Sequence, residues 1–161
     1  MAGTLGLIGV PTSMGAFAPG QEKGPEALRE ADLVGRLSHS GVEVADNGDS
    51  AVRRWRPDKE NRRAQNLTAV AKVARETSGR VREAREAGHL PLVLGGDCTI
   101  ELGTVAGFLG PAGSDEERVG LIYFDVHPDL NVPSSVGEGA LDWMGVAHML
   151  GVEGAAEPLS P

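Results

Sequence analysis

The sequence predicts an α/β fold, three-layered, with a mostly parallel sheet. Three observations carry this prediction. Short apolar runs at Leu5–Val10, Pro91–Leu94 and Val119–Phe124 alternate with segments whose apolar residues recur every three or four positions. Glycine and proline, 23 and 10 of the 161 residues, punctuate the boundaries between them. Clusters of polar and acidic residues begin abruptly where two runs end, at Gly95–Thr99 and Asp125–Asp129. In parallel sheets the carboxyl ends of strands are where sites are built.

Each element has its own signature. Leu5–Val10 ends in Pro11 and reads as a buried strand. A loop rich in glycine and proline follows to Gly24. Pro25 suits a first helical position, where its missing N–H costs nothing. Leu28, Ala31, Leu33 and Leu37 give that helix an apolar face ending near Gly41. Val42–Ala45 is a shorter strand, and Asp46-Asn47-Gly48-Asp49 a turn signal. The pattern is helical from about Lys59 to Ala87, with Gly79 a candidate break and Gly88 a C-terminal cap. Pro91–Leu94 is the third strand, Ile100–Leu109 a helix, Gly110–Arg118 a polar loop and Val119–Phe124 the fourth strand. Residues 1–150 form the predicted domain. The small, polar segment 151–161 reads as a disordered tail.

Composition narrows the function classes. Fifteen basic against 23 acidic residues leave a formal net charge of −8, which disfavours general nucleic-acid binding. The basic stretch Arg53–Arg63 reads as a solvated face at a helix start. No run of about 18 apolar residues is present, so no membrane-spanning helix is expected. One cysteine, Cys98, and a start without a basic flank fit a reducing, cytoplasmic setting.

Asp125-Val-His127-Pro-Asp129 is the strongest chemical signal. Alternate residues of an extended segment face one side, so two carboxylates and an imidazole would converge there. That set suits Mn²⁺, Zn²⁺, Fe²⁺ or Ni²⁺. The Gly95-Gly96-Asp97-Cys98 segment is a tight turn with Asp97 a candidate cap. Cys98 reads first as a small buried hydrophobe, then as a thiolate ligand, and last as a nucleophile. His39 and His89 sit at helix ends as capping or surface residues, and His148 reads as a satisfied core or interface histidine. Glu138 and Asp142 are loop acids whose closeness to the Asp-rich segment raises a role in holding a cation.

Together these segments resemble the ureohydrolase superfamily of arginase, agmatinase and formimidoylglutamase. Ile8-Gly-Val-Pro11 with Gly24-Pro25 and Leu28-Arg29 is similar to its first strand, loop and helix. Gly41-Val-Glu-Val44 with Asn47-Gly-Asp49 resembles its second strand. Gly95-Gly-Asp-Cys-Thr99 resembles Gly-Gly-Asp-His-Ser, and Asp125-Val-His-Pro-Asp-Leu-Asn131 resembles Asp-Ala-His-x-Asp-x-Asn. The resemblance implies an arginase-like fold. It also implies hydrolysis of a linear C–N bond in a small guanidine or amidine by water activated between two Mn²⁺ ions. By position, Asp125 would bridge the ions, Cys98 and Asp129 would serve the first, and His127 the second. Asn131 would contact substrate. The resemblance leaves room for a homo-oligomer.

Three departures matter. Cys98 replaces a histidine, and its softer sulfur shifts preference toward Zn²⁺ or Fe²⁺. In the family's Ser-Gly-Asn-x-His-Gly loop, Glu138 stands for the serine that binds a carboxylate and Asp142 for the proton-shuttling histidine. Both changes favour a cationic substrate without a carboxylate. The family's second metal motif, Asp-x-Asp-x-x-Asp-Pro, does not occur in these 161 residues. The fold is therefore expected in truncated form, with at most one ion bound. The family places two later strands between the third and fourth, so the Val119–Phe124 strand lacks both neighbours here. Two alternatives stand beside the hydrolase reading: a non-catalytic interaction module, and a mononuclear Zn²⁺ hydrolase using Cys98, Asp125, His127 and Asp129.

Overall fold

The computed structural model describes residues 3–109 and 119–160. The loop expected over 110–118 lies outside them. Strands β1 (Leu5–Val10), β2 (Val44–Asp49) and β3 (Leu90–Gly95) form a parallel sheet in the order β2-β1-β3. Helices α1 (Gly24–Glu30) and α2 (Leu33–His39) connect β1 to β2, and α3 (Leu67–Glu86) connects β2 to β3. These crossovers run in opposite directions across the sheet. The right-handed rule therefore puts their helices on opposite faces, which makes the three layers. Then come α4 (Ile100–Leu109), a 3₁₀ turn at Leu141–Met144, and α5 (Gly145–Met149). None of the described helices is long and apolar enough to cross a membrane.

Central β1 is buried on both sides, as its unbroken apolar sequence requires. Ile8 and Val10 pack with Val73, Val81 and Ala84 of α3 to form the main core, joined by Val93, Ile100 and Phe108. A second cluster of Val70, Leu141 and Met144 fastens the segment after residue 130 to α3.

Four local expectations change. The predicted first helix divides in two because Asp32 adopts a left-handed φ of 57°. The Asp46–Asp49 turn signal is instead the end of β2. Arg29 clamps Asp46 and Asp49 at 2.5 and 2.8 Å, and the Arg80 guanidinium donates to the carbonyls of Asn47 and Gly48 at 2.8 Å. These cations hold a turn-prone tetrapeptide against β1. The long helix begins at Leu67 rather than near Lys59, because Asp58 accepts from the backbone N–H groups of Asn61 and Asn66 and ties 58–66 into a loop. It then runs through Gly79 unbroken and stops at Gly88, whose φ is 77°.

The largest correction concerns Val119–Phe124, which forms no strand. Ile122 and Phe124 are 95% and 102% exposed, and β3 has no neighbour on its outer edge among the described residues. A lone strand has no ladder to satisfy its backbone, so apolar sequence alone does not extend it. The basic stretch is partly ion-paired rather than simply solvated, with Arg53–Glu76 at 2.7 Å and Arg54–Glu22 at 3.6 Å. In the segment after α5, Leu159 packs against the second core cluster, and the Ala156 N–H donates to His148.

Candidate metal centre

The turn from β3 into α4 supplies the first donor. A Cβ on Gly96 would lie 2.7 Å from the Val10 carbonyl oxygen and 2.6 Å from that of Thr12, so only glycine fits this crossing. Asp97, 2% exposed, is a tether as well as a cap. Its carboxylate accepts from the Thr99 N–H at 3.0 Å, from the Thr99 hydroxyl at 2.5 Å and from the Gly15 N–H at 3.0 Å. The loop after β1 is thereby pinned to the start of α4, where Cys98 is open to solvent. Cys98 is thus not the buried hydrophobe that spacing favoured.

The second and third donors come from the Asp-rich segment, which is a turn and not an extended strand end. Asp125 Oδ1 accepts from the N–H groups of Val126 and His127 at 2.5 and 3.2 Å, an Asx arrangement. Asp129 has a φ of 44°. The expected alternation of Asp125, His127 and Asp129 along one face is therefore lost. Donor atoms of Cys98, Asp125 and Asp129 lie within 4.8 Å of one another, while the exposed His127 stands outside that group. One thiol and two carboxylates at this spacing fit a single divalent ion of intermediate hardness. Asp129 is 5% exposed, accepts from the Tyr123 hydroxyl at 2.5 Å, and its carbonyl accepts from the Ala147 N–H at 3.1 Å.

The acids around this group also crowd one another. Glu101, in the first turn of α4, and Asp142 each keep a buried carboxylate oxygen without a hydrogen-bond partner. Burial, with Asp129 and Asp125 adding to it, pushes Glu101 up to about 7. Burial, with Asp97 and Asp129 adding to it, pushes Asp142 up to about 7. The Cys98 thiol rises to about 12 through burial and four surrounding acids. A helix N-terminus ordinarily lowers a cysteine pKa, but here partial burial of the sulfur, together with the acids, outweighs it. No Lys or Arg among the described residues forms an ion pair with any of these acids.

A pH prediction follows from linkage. The native chain keeps protons on Glu101 and Asp142 up to about 7, whereas the unfolded chain releases them near 4. Between those values the native state binds more protons, so stability falls as pH rises. Metal-free protein in chelator is expected to melt lower at about pH 8 than at about pH 5, and added Mn²⁺ or Zn²⁺ to reverse the trend. A calorimetric melting series with and without metal checks this.

The other predicted residues fall around this cluster. Asn131 lines a cavity of about 320 Å³ with His127, Asp129 and Trp143, and its N–H donates to the Trp143 carbonyl at 3.2 Å. Glu138 borders a different cavity, of about 400 Å³, walled by Phe17, Trp55 and Arg62. Trp143 stacks on Phe17 with ring centroids 5.9 Å apart. His148 is a satisfied core histidine, fully buried, with Nδ1 2.6 Å from the Met144 carbonyl oxygen. Sequence reasoning missed Glu101, Tyr123 and Trp143. Glu101 left a signal, as the sole charge in the apolar helix Ile100–Leu109, three residues after Cys98.

Comparison with known proteins places the geometry. The arginase family model matches residues 4–155. The chain is 34% identical over 149 residues to the arginase of Bacillus subtilis, covering 92% of this chain and 49% of that protein. It is 32% identical over 147 residues to human arginase-1, covering 91% and 44%. Among solved structures, a Bacillus subtilis arginase superimposes with a TM-score of 0.80 at 33% identity, over 97% of this chain and 49% of that one. The Bacillus caldovelox enzyme gives 0.79 at 31% identity, over 98% and 55%. The chain thus spans about half the length of the relatives it matches. With sequence and backbone in agreement over nearly all of its residues, the chain belongs to the arginase family.

Proposed function

We propose that this chain carries one half of an arginase-type hydrolase site, which cleaves a linear C–N bond of a small cationic guanidine or amidine. The observation that carries the reading is the convergence of Cys98, Asp125 and Asp129 within 4.8 Å at the carboxyl end of the sheet. These three would hold one divalent ion, Mn²⁺ by family and Zn²⁺ or Fe²⁺ by virtue of the sulfur, with His127 joining only if the Asp125–Asp129 turn rearranges around it. The bound ion would supply acidified water as the nucleophile.

The chain's own residues do the rest. Asp142, with its carboxyl near 7 and one oxygen unpartnered, is suited to take a proton and pass it to the leaving amine. Asn131 and Trp143 shape the wall of the adjoining cavity. The unneutralised acids attract a guanidinium and repel a carboxylate, so agmatine or guanidinobutyramide-like cations suit the site better than arginine.

Titration calorimetry of the 161-residue chain with Mn²⁺ and Zn²⁺ is expected to show at most one ion, and urea release from agmatine to be abolished by Asp125→Ala and by His127→Ala. Tight binding of two Mn²⁺ ions would refute the single-ion claim. Urea release that survives both substitutions would refute the site. Two observations favour a second reading, an interaction module: the outer edge of β3 is unpaired among the described residues, and Ile122 and Phe124 are exposed. Absence of urea release from any guanidine substrate would leave that reading standing.

A further inference from the structure

His148, fully buried in α5, uses both ring nitrogens against groups of fixed polarity. Its Nδ1 lies 2.6 Å from the Met144 carbonyl oxygen, which can only accept. Its Nε2 lies 3.1 Å from the Ala156 nitrogen, whose N–H can only donate. Both contacts are made together only by a neutral ring with its proton on Nδ1. A second proton, on Nε2, would set N–H against N–H and leave the Ala156 donor without its acceptor. Burial holds the His148 pKa below its usual value, the Met144 carbonyl acts the other way, and no charged group is among the causes. The charges on the neighbouring elements are Glu101 of α4, Asp142 of the 3₁₀ turn, Asp129, whose carbonyl accepts from the Ala147 N–H, Arg75 and Arg82 of α3, and Glu153 and Glu157 of the segment after α5.

That segment depends on the ring. Among the described residues, the hydrogen bonds that tie 156–160 to the rest of the fold both end on His148. The Ala156 N–H donates to Nε2, and the Ser160 hydroxyl donates more loosely, at 3.5 Å, to the carbonyl. The bonds from Ala155 to Val152 and from Leu159 to Ala156 are turns within the segment. What the segment covers is apolar. Leu159 packs against the cluster of Val70, Leu141 and Met144, and with Pro158 it walls a cavity of about 410 Å³ over Ala71, Ala74 and Leu102.

We propose that His148 is a proton-operated latch: neutral, it fastens residues 152–160 over the seam of α3 and α4, and protonated, it releases them. Release uncovers the second core cluster, which also anchors the loop of Asp142, so acid loosens that side of the fold. The latch stands independently of any bound ion. It opposes the trend expected above for the fold as a whole, which gains stability from about pH 8 to about pH 5 because the native state favours protons on Glu101 and Asp142. The native state refuses the proton on His148, so this contribution is present above the ordinary histidine pKa and is lost as pH falls.

The experiment is amide hydrogen exchange of the 161-residue chain in chelator, corrected for the intrinsic rate at each pH, with the core of α3 as internal reference. A released ring titrates near about 6.5. Opening of 152–160 is therefore expected to increase about tenfold for each pH unit below that value, until the closed form itself protonates, while α3 keeps or gains protection. Ala156→Pro, which removes the donor, is expected to leave 156–160 open at both about pH 7.5 and about pH 5. His148→Gln, whose amide oxygen can accept from Ala156 at any pH, is expected to hold the segment at both. Equal protection of 152–160 at the two pH values in wild type overturns the proposal. So does a pH-dependent opening that persists in either variant, since another group would then be responsible.

Discussion

Replacing Asp129 by asparagine is expected to lower the affinity for Mn²⁺ or Zn²⁺ by more than about 100-fold, beyond what the loss of an outer-shell contact costs. Asp129 is the buried member of the donor group, at 5% exposure, and the Tyr123 hydroxyl already orients it. Asparagine keeps the shape and tolerates the left-handed φ of 44°. The substitution therefore removes a charge and little else. Without metal the variant is expected to be as stable as wild type, or more so, because Glu101, Cys98 and Asp142 all feel the Asp129 charge. Asp129→Ala is a poorer probe, since alanine in that conformation costs about 1–2 kcal/mol by itself. Titration calorimetry paired with melting in chelator checks both expectations. An Asp129→Asn protein that binds Mn²⁺ as wild type does would remove Asp129 from the site.

Truncating Leu141 to alanine is expected to cost about 2–5 kcal/mol of stability, a large share of the roughly 5–15 kcal/mol typical of a domain. Leu141 is fully buried between Val70 of α3 and Met144, with Met14, Val136 and Leu159 packed around them. The cluster does more than fill space. It holds the 140s segment to α3, and the next residue, Asp142, donates its N–H to the Gly15 carbonyl at 3.0 Å. A cavity at Leu141 should therefore loosen the loop that carries Asp142 as well as the fold. Urea denaturation should show a lower midpoint with the slope unchanged. A loss smaller than about 1 kcal/mol would mean that the cluster collapses onto the gap and contributes little.

Apolar runs and capping residues made the sheet legible before any coordinates. β1 is an apolar run that a doubly covered strand explains, and α4 begins where its sequence says it should. Elements whose conformation is decided by distant partners were not legible. Asp46–Asp49 reads as a turn until Arg29 and Arg80 arrive from other elements to hold it as strand. Val119–Phe124 reads as a strand, but with no paired neighbour among the described residues it is irregular.

At the site, residue types and order were enough to nominate Cys98, Asp125 and Asp129, and the tertiary structure decided their grouping. Alternation predicted that His127 would share a face with its neighbours, but Asp125 turns back on the N–H groups of Val126 and His127 and breaks the alternation. Glu101 and Tyr123 join the cluster through space, from a helix and a loop that sequence reading treats separately. By itself the sequence determined the family, the order of elements and the chemistry of the donors, because hydrophobic period and residue type are local properties. The tertiary structure alone decided which donors meet and how far burial and like charge raise their pKa values, because convergence and dielectric depend on what lies across the fold.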